Sequence, residues 1–272
     1  GDEKPDSECF ELPDFLISQV VRSQNGHDYP PLKPGHYKIT DPAFSYMVLG
    51  QYPAQGTNQL ISKEWVSGAR TRWDLYVAEF GILPPIGVRP VMGLDVAEFG
   101  SDLTAQCLRY GGFVSTIKTW GEADPVESGD RASIDYKERR CVQANVDATG
   151  VGSGTAPQMV RNGCTAYAVK VATKPSYATE IGEFAQLRDQ LWWSCREWLR
   201  TDPGSMLPPD EELLEELNAP TYEIKKGRIK IMEKDTMKEL IKRSPNKADA
   251  LCLTFYEPVP LITGFDVKRH TH

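Results

Sequence analysis

Two short apolar stretches, VMGLDV at 91–96 and CVQANVDAT at 141–149, each enclose one aspartate. Apolar runs of this length, bounded by turn-forming residues, read as buried strands. A lone ionised carboxylate taken out of water costs several kcal/mol, so a buried strand carries one only beside a cation or a set of donors. A third acid, Asp249, stands between Ala248 and Ala250 about one turn inside the last expected helix, on a face continuing into Leu251 and Leu253. Any one of the three reads as a solvated strand-end or capping aspartate. Asp95, Asp147 and Asp249 together, from three elements, read as one shared solution. Such a set of hard oxygen ligands suits Mg2+ or Mn2+. Two such ions roughly 4 Å apart can activate a water and stabilise the leaving oxygen of an in-line attack on phosphorus.

Asp147 is followed by a glycine-rich run, TGVGSGTAPQM at 149–159. A triphosphate loop of the G-x-x-x-x-G-K-[ST] kind needs a lysine to reach the β and γ phosphates. Gly150, Gly152 and Gly154 lead instead into Thr155-Ala156-Pro157. The run therefore reads as a sharp turn that serves Asp147, letting a helix pack close while the acid stays open.

The remaining pattern supplies the elements around these acids. The first 85 residues read as an irregular segment with short helices at 13–23 and 63–80, and ILPPIGVRP at 82–90 punctuates the chain as a boundary. Beyond it, 103–120 reads as two strands joined at Gly111-Gly112, 130–140 as helix, 155–162 as helix and 165–173 as strand. Ile181, Phe184, Leu187, Leu191, Cys195 and Trp198 recur at helical spacing, which predicts one helix over 179–200 with Trp192 and Trp193 packed in it. A hairpin at 222–232 turns on Lys226-Gly227, and a last helix opens at Ser244 with Pro245 at its first position. The order predicts an α/β fold with a mixed sheet flanked by helices. Periodicity alone leaves several mixed α/β folds open.

Net charge sets limits on partners. At −7 over 272 residues the chain has no general basic coat, yet 223–247 holds nine Lys or Arg against four acids. That strip is a solvated face or a phosphate-binding one. Six cysteines lie scattered without C-x-x-C, as expected of buried thiols in an intracellular protein, and the four histidines have no zinc spacing. No apolar run has the length of a membrane span.

Four segments, GLDVAEFGSDLT (93–104), VDATGVGSGTAPQM (146–159), QLRDQLWWSCREWL (186–199) and GRIKIMEKDTMKELIKRSPNKADALCLTF (227–255), resemble in order and spacing the nuclease domain of the large terminase subunit of tailed bacteriophages. YMVLGQYPAQGTNQLISKEWVSGA (46–69) resembles the segment that links that subunit's ATPase to its nuclease. The resemblance implies a ribonuclease H-like sheet with an added hairpin at 86–272, following a linker at 1–85 and an ATPase domain that is absent, since no Walker A sequence occurs. It implies an endodeoxyribonuclease that cuts concatemeric viral DNA with two divalent cations, Mg2+ or Mn2+, and little sequence preference. Asp95, Asp147 and Asp249 match the metal-binding acids. Asp102, Lys234 and Lys247 match auxiliary positions, and Lys225, Lys226, Arg228 and Lys230 on the hairpin would hold the DNA backbone. Double-stranded DNA, the portal protein and the small terminase subunit are the implied partners, at the procapsid portal in the host bacterial cytoplasm. Asn246 departs from the family's aspartate at that position.

Three other readings compete. An actin-like nucleotide-binding protein would use DVAEFGSDLT as a phosphate loop, but Glu98-Phe99 is too bulky for close approach to phosphates. Another nuclease of the same fold, of resolvase or transposase type, would not explain VLGQYP or the double-tryptophan helix. A docking domain that merely keeps the fold would not need three intact acids.

Overall fold

The computed structural model describes residues 9–11, 26–28, 36–39, 58–97, 103–121 and 124–258, without the side chains of the first three segments or of Val151. The helix expected at 13–23, the bulky pair Glu98-Phe99 and Asp102 lie outside the described residues. Three short strands, β1 (Cys9–Glu11), β2 (Gly26–Asp28) and β3 (His36–Ile39), form a separate antiparallel sheet in the order β1-β3-β2.

The central sheet is built from β4 (Val91–Asp95), β5 (Thr104–Tyr110), β6 (Phe113–Val114), β7 (Lys118–Trp120), β8 (Gln143–Asp147) and β9 (Ala166–Val169). Its order is β6-β5-β4-β8-β9, with β7 also paired to β5. β5 runs antiparallel to β4, whereas β8 is parallel to both β4 and β9. This is the mixed sheet expected of an antiparallel meander followed by crossovers. Helix α1 (Lys63–Phe80) precedes the sheet; α2 (Pro125–Glu138) and α3 (Thr155–Arg161) cross over to β8 and β9. The C-terminal third adds α4 (Leu187–Thr201), α5 (Glu211–Asn218), α6 (Lys234–Ile241) and α7 (Asn246–Leu253). A small second sheet holds β10 (Ala178–Thr179), β11 (Gly182–Phe184), β12 (Tyr222–Lys225) and β13 (Arg228–Ile231) in the order β10-β11-β13-β12.

Strand alternation sorts the core into two layers. Met92, Leu94, Leu108, Tyr110, Ala144 and Val146 join Ala132, Tyr136 and Met159 of α2 and α3 in one apolar cluster. Ala105 and Cys107 join Leu191, Trp192, Cys195, Ala250 and Leu251 of α4 and α7 in the other. Helix α7 lies so close to β4 that a Cβ on Gly93 would stand 1.9 Å from the Ala250 carbonyl oxygen. Glycine at 93 thus sets the depth at which α7 rests on the sheet. Cys107, Cys141, Cys164, Cys195 and Cys252 are all free and buried thiols.

Two expectations change, and two charged stretches take a form the residue pattern left open. The boundary expected at 85–86 does not coincide with a break in packing. Leu60, Ile61, Val66 and Ala69 are buried against the α4–α7 layer, and the Trp73 indole donates to the Val114 carbonyl at 3.1 Å. Backbone bonds from Leu60 to Pro220 and from Tyr222 to Asn58 tie the same segment to β12. The proline-rich stretch is an exposed loop within the unit, and apolar burial, invisible to loop composition, decides the limit. The helix expected over 179–200 begins at Leu187, because Gly182, at φ 148°, opens the second strand of the β10–β11 hairpin, with Ile181 in its turn and Phe184 in that strand. A reciprocal cap between Gln186 and Asp189 then starts the helix. Finally, the charged stretches at 210–216 and 233–242 are amphipathic helices, α5 and α6, with Leu213, Leu217, Met237 and Ile241 buried. No helix among the described residues is long and apolar enough to cross a membrane.

Candidate active site

Asp95 ends β4 and Asp147 ends the adjacent parallel strand β8. Their registers pair Leu94 with Val146, so the two aspartates stand side by side at the carboxyl ends of both strands. Because Leu94 and Val146 face the α2–α3 layer, alternation turns both acids toward the opposite face, where α7 supplies Asp249. Asp147 is held by its own turn. Its Oδ1 accepts the Thr149 N–H at 2.9 Å, and the glycine run curls back so that a Cβ on Gly152 would lie 2.0 Å from the Asp147 carbonyl oxygen. The run serves the acid, as its lack of a lysine implies.

Between Asp95 and Asp249 stands an ammonium group. Lys234, the first residue of α6, places Nζ 2.9 Å from Asp249 Oδ2 and 3.3 Å from Asp95 Oδ2. Asp249 also accepts the Trp192 indole N–H on Oδ1 at 2.9 Å. Burial pushes the Asp95 carboxyl up to about 7; Lys234 opposes the shift, while Asp249 and Asp147 add to it. Burial likewise raises Asp147, against the donors of Thr149. Burial acts upward on Asp249 too, but Lys234, Arg188 and the Trp192 bond outweigh it and hold that carboxyl below its usual range. The lysine itself is raised, since Asp249 and Asp95 overcome the effect of its burial. The site is therefore short of positive charge even with one cation inside it.

Among the described residues, no three His, Cys, Asp or Glu side chains are grouped closely enough to hold a metal ion as they stand. The ammonium bridges two of the carboxylates, Asp95 and Asp249. Three carboxylates from three elements, two of them raised by burial, form a donor set that fits Mg2+ or Mn2+ once Lys234 withdraws.

The other expected residues divide. Lys247 does not reach the acids: its ammonium lies 2.8 Å from Asp210 and 2.7 Å from Glu212, tying α7 to α5. Asn246 donates to the Leu103 carbonyl at 2.9 Å and pins the start of α7 to the chain entering β5. Lys226 takes a left-handed turn at φ 52° before Gly227 at the tip of the β12–β13 hairpin, and Arg228 is exposed beside it. Lys225 pairs with Glu223 and Lys230 with Glu233, both at 2.7 Å on the surface. The hairpin runs directly into Lys234, so the basic strip and the acids share one connection.

Two neighbours of the acids escaped the sequence reading. Trp192 belongs to the packed helix, as expected, yet its indole N–H also fixes Asp249. Arg188, one turn earlier on α4, lines a cavity of about 40 Å3 with Asp147, Trp192, Lys234 and Asp249. An arginine between Leu187 and Leu191 on a helix that reads as packed was the available signal. The first turn of α4 also fixes the foot of the hairpin: Asp189 accepts the Ile231 N–H at 3.0 Å, and Arg188 Nη1 donates to the Met232 carbonyl at 3.0 Å.

No family model matches the sequence, and no curated protein matches it either. Solved structures do. The nuclease domain of the large terminase subunit gp2 of bacterial virus Sf6 is 23% identical, covers 74% of this chain and 100% of its own, and superposes with a TM-score of 0.58. A variant of that domain with calcium gives 23%, the same coverage and 0.58. The variant with manganese and beta-thujaplicinol gives 22%, again the same coverage, and 0.57. The chain has the ribonuclease H-like fold of these nuclease domains.

Proposed function

We propose that this chain is a metal-dependent endodeoxyribonuclease of the genome-packaging type, cutting concatemeric viral DNA. One observation carries the reading: Asp95 of β4 and Asp249 of α7 converge on a single ammonium, and Asp147 of β8 stands beside Asp95 at the carboxyl ends of two parallel strands. In the absence of a cation such a cluster is destabilising, and a merely structural domain has no use for it. Asp95, Asp147 and Asp249 would hold two divalent cations, Mg2+ or Mn2+. Bound there, the cations would supply the Lewis-acid chemistry of phosphodiester hydrolysis.

The chain's own groups do the rest. Trp192 orients Asp249, the Thr149 N–H orients Asp147, and Lys234 fills the cluster until a cation replaces it. Lys225, Lys226, Arg228 and Lys230 hold DNA phosphates without reading bases, their surface partners Glu223 and Glu233 being readily exchanged. Similarity to phage terminase nucleases supports double-stranded DNA as substrate, and the portal protein and small terminase subunit as partners at the procapsid in the host cytoplasm.

Supercoiled plasmid incubated with Mn2+ or Mg2+ tests the reading. The wild-type chain should nick it, Asp95→Ala and Asp249→Ala should not, and nicking should weaken steeply with added salt. Intact plasmid combined with tight ATP binding would transfer the case to the actin-like alternative.

A further inference from the structure

Arg188 is 8% exposed and has no salt bridge among the described residues. Its Nη1 is used on the Met232 carbonyl, but Nε and Nη2 have no hydrogen-bond partner. A buried guanidinium with two unused donors is costly, and such groups persist where something other than stability retains them. Those donors belong to a side chain lining the cavity that Asp147, Asp249 and Lys234 also line. Arg188 thus shares a small cavity with the acids and makes no hydrogen bond to them. The guanidinium acts on the acids through its field.

The two cations of the site differ in one respect. Lys234 is a flexible side chain, 39% exposed, at the start of a short helix, and it can swing out. Arg188 is enclosed, with its Cζ 5.6 Å from the Trp192 ring centroid and Nη1 clamped to the backbone. It stays when a divalent cation enters.

The geometry points to Arg188 as a positioning residue that loosens divalent-cation binding, a fixed positive charge behind Asp249 that no incoming cation displaces. This deepens the nuclease reading and rests on it. Three carboxylates against Arg188 leave a net charge of about two negative units once Lys234 withdraws. One divalent cation neutralises that. A second is repelled until a DNA phosphate brings its own negative charge, so the site fills completely only on substrate. The device keeps a phosphodiesterase quiet in the absence of DNA.

Calorimetric titration of Mn2+ into the chelator-treated chain, at one pH near 8 and fixed salt, tests this without an activity readout. Arg188→Gln, which can keep the Met232 bond, and Arg188→Met should bind Mn2+ on the order of tenfold more tightly. Arg188→Lys should bind like the wild type. Structural damage has the opposite sign, so weaker or unchanged binding in the two neutral variants overturns the inference, as does a lysine variant that follows them. If Arg188→Met fails to fold, the glutamine and lysine variants decide between them. A wild type that takes up no Mn2+ overturns the nuclease reading itself, and is told apart by that result alone.

Discussion

Leu94 and Asp95 are neighbours on β4 and face opposite layers. Beneath α2 and α3, the sheet presents Met92, Leu94, Leu108, Tyr110, Ala144 and Val146, a largely apolar surface that stabilises by leaving water, with Gln106 donating to Asp135 of α2 at 2.8 Å. Beneath α4 and α7 it presents Gly93, Ala105 and Cys107 but also Asp95, Asn145, Asp147 and Arg109, and each of these last four needs a partner. Asn145 donates to the Leu253 carbonyl at 2.8 Å, and Arg109 donates to Thr254 Oγ1 at 2.8 Å and to the Thr254 carbonyl at 2.9 Å. Those partners meet the needs of the amide and the guanidinium. Asp95 and Asp249 share one lysine, and Asp147 has the Thr149 N–H. Both faces pack apolar side chains, but only the second also gives up stability to keep charge where water is scarce.

The sharpest way to break this contrast is to change both residues of the pair. Asp95→Asn should lower plasmid nicking about a thousandfold, a loss of roughly 4 kcal/mol of transition-state stabilisation, while raising the melting temperature in chelator at pH 8. Leu94→Ala should cost about 2–5 kcal/mol by chemical denaturation and leave nicking per folded molecule unchanged. Equal losses of activity in the two variants would erase the distinction between the faces.

Gly93→Val probes the contact that joins the faces' geometry to the site. Its side chain collides with the Ala250 carbonyl, so α7 must lift, at a cost of about 3 kcal/mol. Mn2+ uptake should vanish at temperatures where circular dichroism still reports a folded chain, because Asp249 leaves Asp95.

Glu216 carries the same strain outside the acid cluster. Buried on α5, it accepts the Ala248 N–H at 2.9 Å, and burial pushes its carboxyl up to about 8 against that bond and Arg243. The folded chain thus keeps a proton that the unfolded chain releases near 4.5. Stability from this group is full below that value and lost as pH climbs toward 8. Glu216→Gln should flatten the pH profile of the melting temperature over that window and add on the order of 2 kcal/mol at pH 8. An unchanged slope would show that Glu216 is ionised in the fold.

The smallest expected effect sharpens the role of α4. Trp192→Phe removes one donor from Asp249 and should cost about 1 kcal/mol in stability, with a few-fold loss of nicking.

Much of this was open to reading from residue order. Asp95 and Asp147 stood out because an acid in an apolar run is unfavourable by itself, and the glycine run after Asp147 declared its purpose by what it lacked. The mixed sheet followed from the spacing of runs and turns. Ile181 and Phe184 misled, since helical and hairpin placement both suit isolated apolar residues, and Gly182 resolves the ambiguity only through its backbone angle. The limit of the unit was hidden because Leu60, Ile61 and Trp73 are buried by residues more than forty positions away.

Residue order alone determined which side chains could not be left unpaired: the three aspartates, named by the desolvation cost of charge. It did not decide which cation answers them. Lys234 and Lys247 are alike as letters, yet one fills the acid cluster and the other ties α7 to Asp210 and Glu212. Electrostatic partnership depends on distances of a few ångströms between elements far apart in the chain, and only the packing of α5, α6 and α7 over the sheet sets those distances.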